Sequence, residues 1–128
     1  MEIITKKFES EPRFVYVQLG LEGDDSGDVV LGDVELDIEN QAKFVDVING
    51  IFTDDMYNVL VDLKLVSYID SSGLWALFEG HKKASQKNGN LVLLNPTKDV
   101  KRVLDITKVS SKMRVYGDYD EAVRSFIN

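Results

Sequence analysis

Two apolar runs constrain this chain more than any other feature. Val59-Leu60-Val61 and Leu91-Val92-Leu93-Leu94 are continuous rather than alternating. Successive side chains of a strand point to opposite faces, so a run with no polar interruption has to be covered on both sides. Between the runs lies a segment opened by Asp70-Ser71-Ser72-Gly73. It is expected to be helical to about Asn88, with Gly89 as its stop. Strand, helix, strand, with both strands buried, is the crossover unit of a parallel sheet, and such crossovers are right-handed.

The rest of the chain extends this unit. Ile3, Ile4 and Phe8 suit a short first strand, and Glu11-Pro12 a turn. Phe14 to Leu19 form a second β-rich run, apolar on both faces. Gly23-Asp24-Asp25-Ser26-Gly27-Asp28 reads as a solvated acidic turn. It lacks the downstream Glu and central Gly of a calcium loop. Val29 to Leu31 are expected to resume a strand. From Leu36 the period becomes helical, through Phe44, Val47, Ile48 and Ile51, with Asn40 and Gln41 facing outward. Leu65 to Ile69 form a strand region ahead of Asp70. Asn95-Pro96-Thr97 turns into a third helix striped by Val100, Val103 and Leu104. Met113, Val115 and Tyr116 form a last strand. Tyr119 to Ile127 form a final helix with Ala122, Val123 and Phe126 inward. The pattern is an α/β fold in one domain, 1–128, with a mixed central β-sheet and about four helices.

Composition narrows the function. At 128 residues, 44% hydrophobic and 29% charged, the chain can bury a core unaided. It has no cysteine and one histidine, His81, which removes thiolate chemistry and most metal sites. No metal or other cofactor is expected. A formal net charge of −7 opposes nucleic acid and anionic membrane surfaces. The opening MEIITKKF lacks the apolar stretch of a signal peptide, and no run has transmembrane length, so the expected location is the cytoplasm.

The segment Tyr68-Ile69-Asp70-Ser71-Ser72-Gly73-Leu74 joins a strand region to a helix. Asp and Ser are favoured N-caps, so by composition alone these residues can simply start that helix. Val59 to Leu63 followed by Val66 to Leu74 resembles the signature of the STAS domain, the family of sulfate transporters and anti-sigma factor antagonists. Gly32-Asp33-Val34-Glu35-Leu36 resembles the family's Gly-Glu-Leu-Asp segment ahead of its first helix. Gly89 to Leu93 and Val100 to Leu104 resemble its fourth strand and third helix. There are departures. Glu35 stands where the family usually has Asp, and Trp75 where it often has a small residue. The N-terminal part is longer, with an insertion near 21–31.

The resemblance implies an anti-sigma factor antagonist. The first serine of the motif, Ser71, with Ser72 as the alternative, would be phosphorylated by an anti-sigma factor serine kinase. The unphosphorylated form would bind that kinase and release the sigma factor. Phosphorylation would end binding, and a serine phosphatase would restore it. Asp70, Glu35 and Gly73 would lie near the phosphosite. The alternative is a STAS scaffold, or a regulatory subunit of a stress-signalling or transporter complex, without a sigma-factor cycle. An enzyme with Ser71 as nucleophile fits poorly. The chain lacks the Gly-x-Ser-x-Gly elbow, and His81 falls on the core side of the same helix, with Leu74, Leu77 and Ala84.

Ser71, Trp75 and Lys82 share another side of that helix, beside Glu79 and Gln86. Trp75 suits either an interface anchor or a ring folded on a neighbouring loop. Lys82 is expected to join Trp75 in partner binding, and Lys101, with Lys98 and Arg102 on the third helix, suits either an acidic partner patch or an ordinary solvated face.

Overall fold

The computed structural model describes residues 1–21 and 34–127. The expected strand at Val29 to Leu31, the acidic turn and nearly all of the insertion lie outside them. Five strands form the main sheet: β1 (Ile3–Phe8), β2 (Phe14–Leu19), β4 (Asn58–Asp62), β6 (Asn90–Leu94) and β7 (Val115–Tyr116), side by side in that order. β1 runs antiparallel to β2, and the other pairs are parallel. Two further strands, β3 (Val34–Leu36) and β5 (Val66–Ile69), pair parallel in a sheet of their own. The helices are α1 (Gln41–Thr53), α2 (Ser71–Gln86), α3 (Lys98–Ile106) and α4 (Tyr119–Arg124). The mixed sheet and the four helices agree with the sequence pattern.

Alternation along the central strands divides the core. Val15, Val17, Val59, Val61, Leu91 and Leu93 face α1, α2 and α3, meeting Phe44, Ile48, Leu77, Val100 and Leu104. Phe14, Leu60, Val92 and Leu94 point the other way and meet Ala122 and Phe126. The continuous apolar runs are therefore buried on both faces. Each such Val, Leu or Phe stabilises the fold by about 1.5–3 kcal/mol.

Several local expectations shift. Leu36 does not begin a helix. It is the last residue of β3, opposite Ile69, and its carbonyl accepts the Asp70 N–H at 3.2 Å. That ladder contact holds it extended, and α1 starts only at Gln41. Asn40 is not a plain outer-face residue. Its side-chain oxygen accepts the Asp37 N–H at 2.9 Å and its amide donates to the Glu35 carbonyl, folding the turn that leads into α1.

α2 ends at Gln86, two residues early, in a Schellman motif. Asn88 takes the left-handed conformation (φ 62°). The N–H groups of Asn88 and Gly89 donate to Ser85 and Ala84 at 3.1 and 2.9 Å. Gly89 is needed for another reason: a Cβ there would lie 2.1 Å from the Tyr57 carbonyl. α4 stops at Arg124 rather than Ile127, although Phe126 still packs inward.

The serine at the start of the second long helix

Asp70 closes β5 and caps α2. One carboxylate oxygen accepts the Gly73 N–H at 3.0 Å, and the other accepts the Ile38 N–H at 3.1 Å. A single side chain thus satisfies an orphan donor of the helix and ties the segment after β3 to it. Gly73 allows this approach. A Cβ at that position would sit 2.3 Å from the Leu36 carbonyl. Ser71 is the first residue of α2 and is exposed, whereas Ser72 is half-buried.

The pairing of β3 with β5 brings carboxylates to this corner. Glu35 lies opposite Tyr68, and Asp37 follows directly after the strand. Asp37 accepts the N–H groups of Glu39 and Asn40 at 3.0 and 3.3 Å. The Glu35 carboxyl is held above the usual carboxylate range. Its hydrogen bond with Asp37 is the main cause, followed by desolvation and the negative charges of Asp37 and Glu39.

Three large apolar side chains on the segments that meet here remain in solvent: Ile38 at 71% exposure, Tyr68 at 52% and Trp75 at 56%. Trp75 stands one helical turn beyond Ser71. It borders a groove between α1 and α2 lined by Val45, Ile48, Ala76 and Gly80. Ala76 and Gly80 are buried and carry the helix–helix contact, a pair that the stripe through Leu74, Leu77, His81 and Ala84 omits. His81 is half-buried, and its Nδ1 is buried without a hydrogen-bond partner among the described residues.

The structure therefore gathers Glu35, Asp70, Ser71, Gly73 and Trp75 at one corner. It separates the two lysines. Lys82 is about three turns further along α2, paired with Glu79 at 3.3 Å. Lys101, on α3, pairs with Asp105 at 3.2 Å. Asp105 is held below its usual range, first by Ser110 and then by Lys101. Ile38, Tyr68 and Asp37 join the site unannounced. Their signal in the sequence is only an apolar or acidic residue beside a turn, and the β3–β5 pairing gives it meaning. Among the described residues there is no His, Cys, Asp and Glu group that could hold a metal ion, and no helix long and apolar enough to cross a membrane.

The STAS domain family model matches residues 28–122. The anti-sigma-B factor antagonist of Staphylococcus epidermidis is 36% identical over 93 residues, covering 72% of this chain and 84% of that protein. A candidate anti-sigma factor antagonist from Thermotoga maritima superposes with a TM-score of 0.78 at 22% identity, over 98% of this chain and 95% of the other. The Bacillus cell fate determinant SpoIIAA, in its phosphorylated form, gives 0.63 at 17% identity over 95% and 98%.

Proposed function

The chain belongs to the STAS domain family, and on that premise we propose that it is an anti-sigma factor antagonist switched at Ser71. The unphosphorylated protein binds an anti-sigma factor serine kinase in the cytoplasm and frees the sigma factor. The kinase phosphorylates Ser71 and is released, and a serine phosphatase resets the cycle. The protein acts by binding and is not itself an enzyme. The likeness to an anti-sigma-B factor antagonist supports the role, and the fold shared with a protein known in a phosphorylated form supports the switch.

One observation carries the reading: an exposed serine at a helix start, with exposed Tyr68 and Trp75 three residues before and four after it, and exposed Ile38 tied to the preceding Asp70. Apolar side chains of this size favour burial against a partner. The serine itself is open to a kinase. A phosphate adds about −1.5 to −2 charge at neutral pH. Here it meets the Asp70 carboxylate, which already occupies the Gly73 and Ile38 N–H groups, and the Glu35–Asp37 pair close by. The Gly73 and Ile38 donors are thus taken, and the exposed first turn offers the phosphate only weak stabilisation, so the new charge remains in the docking face, where desolvating it opposes binding. No refolding is required.

The test is a pull-down from the source cell with wild type, Ser71→Ala and Ser71→Asp, read by mass spectrometry. Wild type and Ser71→Ala should retain a protein kinase and Ser71→Asp should not. Incubation of wild type with that kinase and ATP should place phosphate on Ser71. A kinase retained equally by all three forms, or phosphate on Ser72 alone, would overturn the assignment. Capture of transporter or stress-complex subunits in place of a kinase would favour the scaffold role.

A further inference from the structure

Charge is unevenly placed along the chain. Residues 98–112, which hold α3 and the short turn Val109–Ser111, carry five of the 15 basic residues and two of the 22 acidic ones. That stretch is +3 in a chain of −7, so the rest is −10. Its five cations, Lys98, Lys101, Arg102, Lys108 and Lys112, are all exposed. Lys101 is committed to Asp105. The other four make no ion pair among the described residues. Helix stability accounts for only part of this. A cation just past a helix C-terminus complements the dipole, which suits Lys108. Lys98 is the first residue of α3, where the positive end of the dipole opposes it, and Arg102 stands in mid-helix.

The position of α3 gives these charges a context. At its cap, the Thr97 hydroxyl donates to the Val66 carbonyl of β5 at 3.0 Å. β3 pairs with the same strand, and it leads into Asp37 and Glu39 after its own Glu35. One strand, β5, therefore joins an acidic segment and a basic one, and it runs on to Ser71. Val66 stands five residues before Ser71, no more than about 18 Å away even in a fully extended chain. An ordinary interface buries about 800 Å² per partner, a patch roughly 30 Å across. A partner centred on Ser71 thus meets the start of α3 at its rim.

We propose that Lys98 and Arg102 steer the approach of the kinase that docks at Ser71, by facing an acidic patch on that kinase. This rests on the function proposed above. The docking face is then bipolar: acidic at Glu35, Asp37 and Glu39, basic along α3. Only one orientation of a partner satisfies both ends. At physiological salt exposed charges act over about 8 Å, so a local acidic patch feels α3 rather than the whole chain. An anionic membrane or a nucleic acid is the poorer occupant, because its charge extends over the −10 of the remaining surface.

The kinase retained by wild type, once purified, tests this in a biosensor measurement of association and dissociation with the full chain. Charges at an interface rim act mainly on the association rate. Lys98→Glu with Arg102→Glu should slow association about tenfold at about 0.05 M salt and change dissociation less than about twofold. At about 0.5 M salt the difference should largely vanish. Lys98→Gln with Arg102→Gln adds no repulsion and should slow association about threefold, which decides the matter if the reversed variant unfolds. Lys87→Glu changes charge in the same direction at the other end of α2, about 24 Å from Ser71 along the helix, and should associate as wild type does. Association unchanged or faster in the α3 variants, equal slowing by Lys87→Glu, or a loss found in dissociation alone would overturn the proposal. Binding to phosphatidylserine vesicles that the reversal abolishes, with kinase association unchanged, would assign the face to a membrane instead. Binding lost in Ser71→Asp with normal association of the α3 variants overturns this inference and leaves the switch standing. A wild type that retains no kinase overturns both.

Discussion

The starts of α2 and α3 are built alike and leave different surfaces. Each opens with a capping side chain that accepts the N–H three residues on: Asp70 from Gly73 at 3.0 Å and Thr97 from Val100 at 3.4 Å. Each cap also ties the helix to a second segment. Asp70 takes the Ile38 N–H, and the Thr97 hydroxyl donates to the Val66 carbonyl at 3.0 Å. Past the cap they diverge. α3 places Val100 at the third position, buries it, and carries Asp99 in its first turn. α2 places Gly73 there, lets the Leu36 carbonyl come close, and keeps Ser71 and Trp75 in solvent. Capping chemistry therefore does not mark a functional site. What the first turn leaves uncovered sets the proposed site apart.

The sharpest way to break this comparison is at the third position. Gly73→Ala forces a Cβ to 2.3 Å from the Leu36 carbonyl and should cost about 3 kcal/mol. Val100→Ala removes buried volume instead and should cost about 2 kcal/mol. Urea melts of the two variants measure both. A neutral Gly73→Ala would mean that β3 does not press on α2 as described.

Trp75→Ala separates surface from core. It should weaken binding of the captured kinase by about 2 kcal/mol, the hot-spot range. The free protein should lose far less than the roughly 3–5 kcal/mol of a buried Trp. A binding titration and a urea melt decide it. Lost stability at unchanged affinity would make Trp75 a core residue.

The caps should differ more modestly. Thr97→Ala is expected to cost about 1 kcal/mol, and Asp70→Ala about 1–2 kcal/mol, because it orphans the Ile38 N–H as well. Equal losses would show that the Ile38 contact contributes nothing to stability. Ser71→Asp should melt within a few degrees of wild type, since an exposed helix N-terminus favours an anion by about 0.3–1 kcal/mol, which offsets part of the repulsion from Asp70. Loss of its far-UV circular dichroism would end the local-switch mechanism.

The smallest effect concerns Glu35. Its carboxyl is raised in the fold, so the folded state binds the proton more tightly than the unfolded chain does. Its unfavourable contribution is present above the folded pKa and disappears as pH falls below the unfolded value. Glu35→Gln should therefore raise the melting temperature slightly at pH 7 and have less effect near pH 4. An equal shift at both values would exclude repulsion as the cause.

The order of elements was legible in the sequence because it rests on local signals. The runs at Val59 and Leu91 could be covered only as central strands, and Asp70-Ser71-Ser72-Gly73 marked a helix start on the strength of side-chain oxygens alone. Leu36 misled because a single leucine fits a helical period as readily as the end of a strand. Only its pairing with Ile69 distinguishes the two. The partners of Lys82 and Lys101 were by contrast within reach of the sequence, since Glu79 stands three residues before the one and Asp105 four after the other, spacings that pair charges on one helix face.

By itself, then, the sequence determined the order of the main-sheet strands and the four helices, that the sheet is covered on both faces, and which serine stands at the start of α2. Period, capping and turn chemistry act over a few residues, and one chain displays them. The tertiary structure alone decided that β3 and β5 pair outside the main sheet. That pairing brings the segment of Asp37 and Ile38 against the strand that leads into Ser71, leaves Gly73 no room for a methyl group, and lets a single aspartate hold both segments. These are contacts between residues more than thirty positions apart. No periodicity encodes them, because they exist only once the helices and sheets have packed.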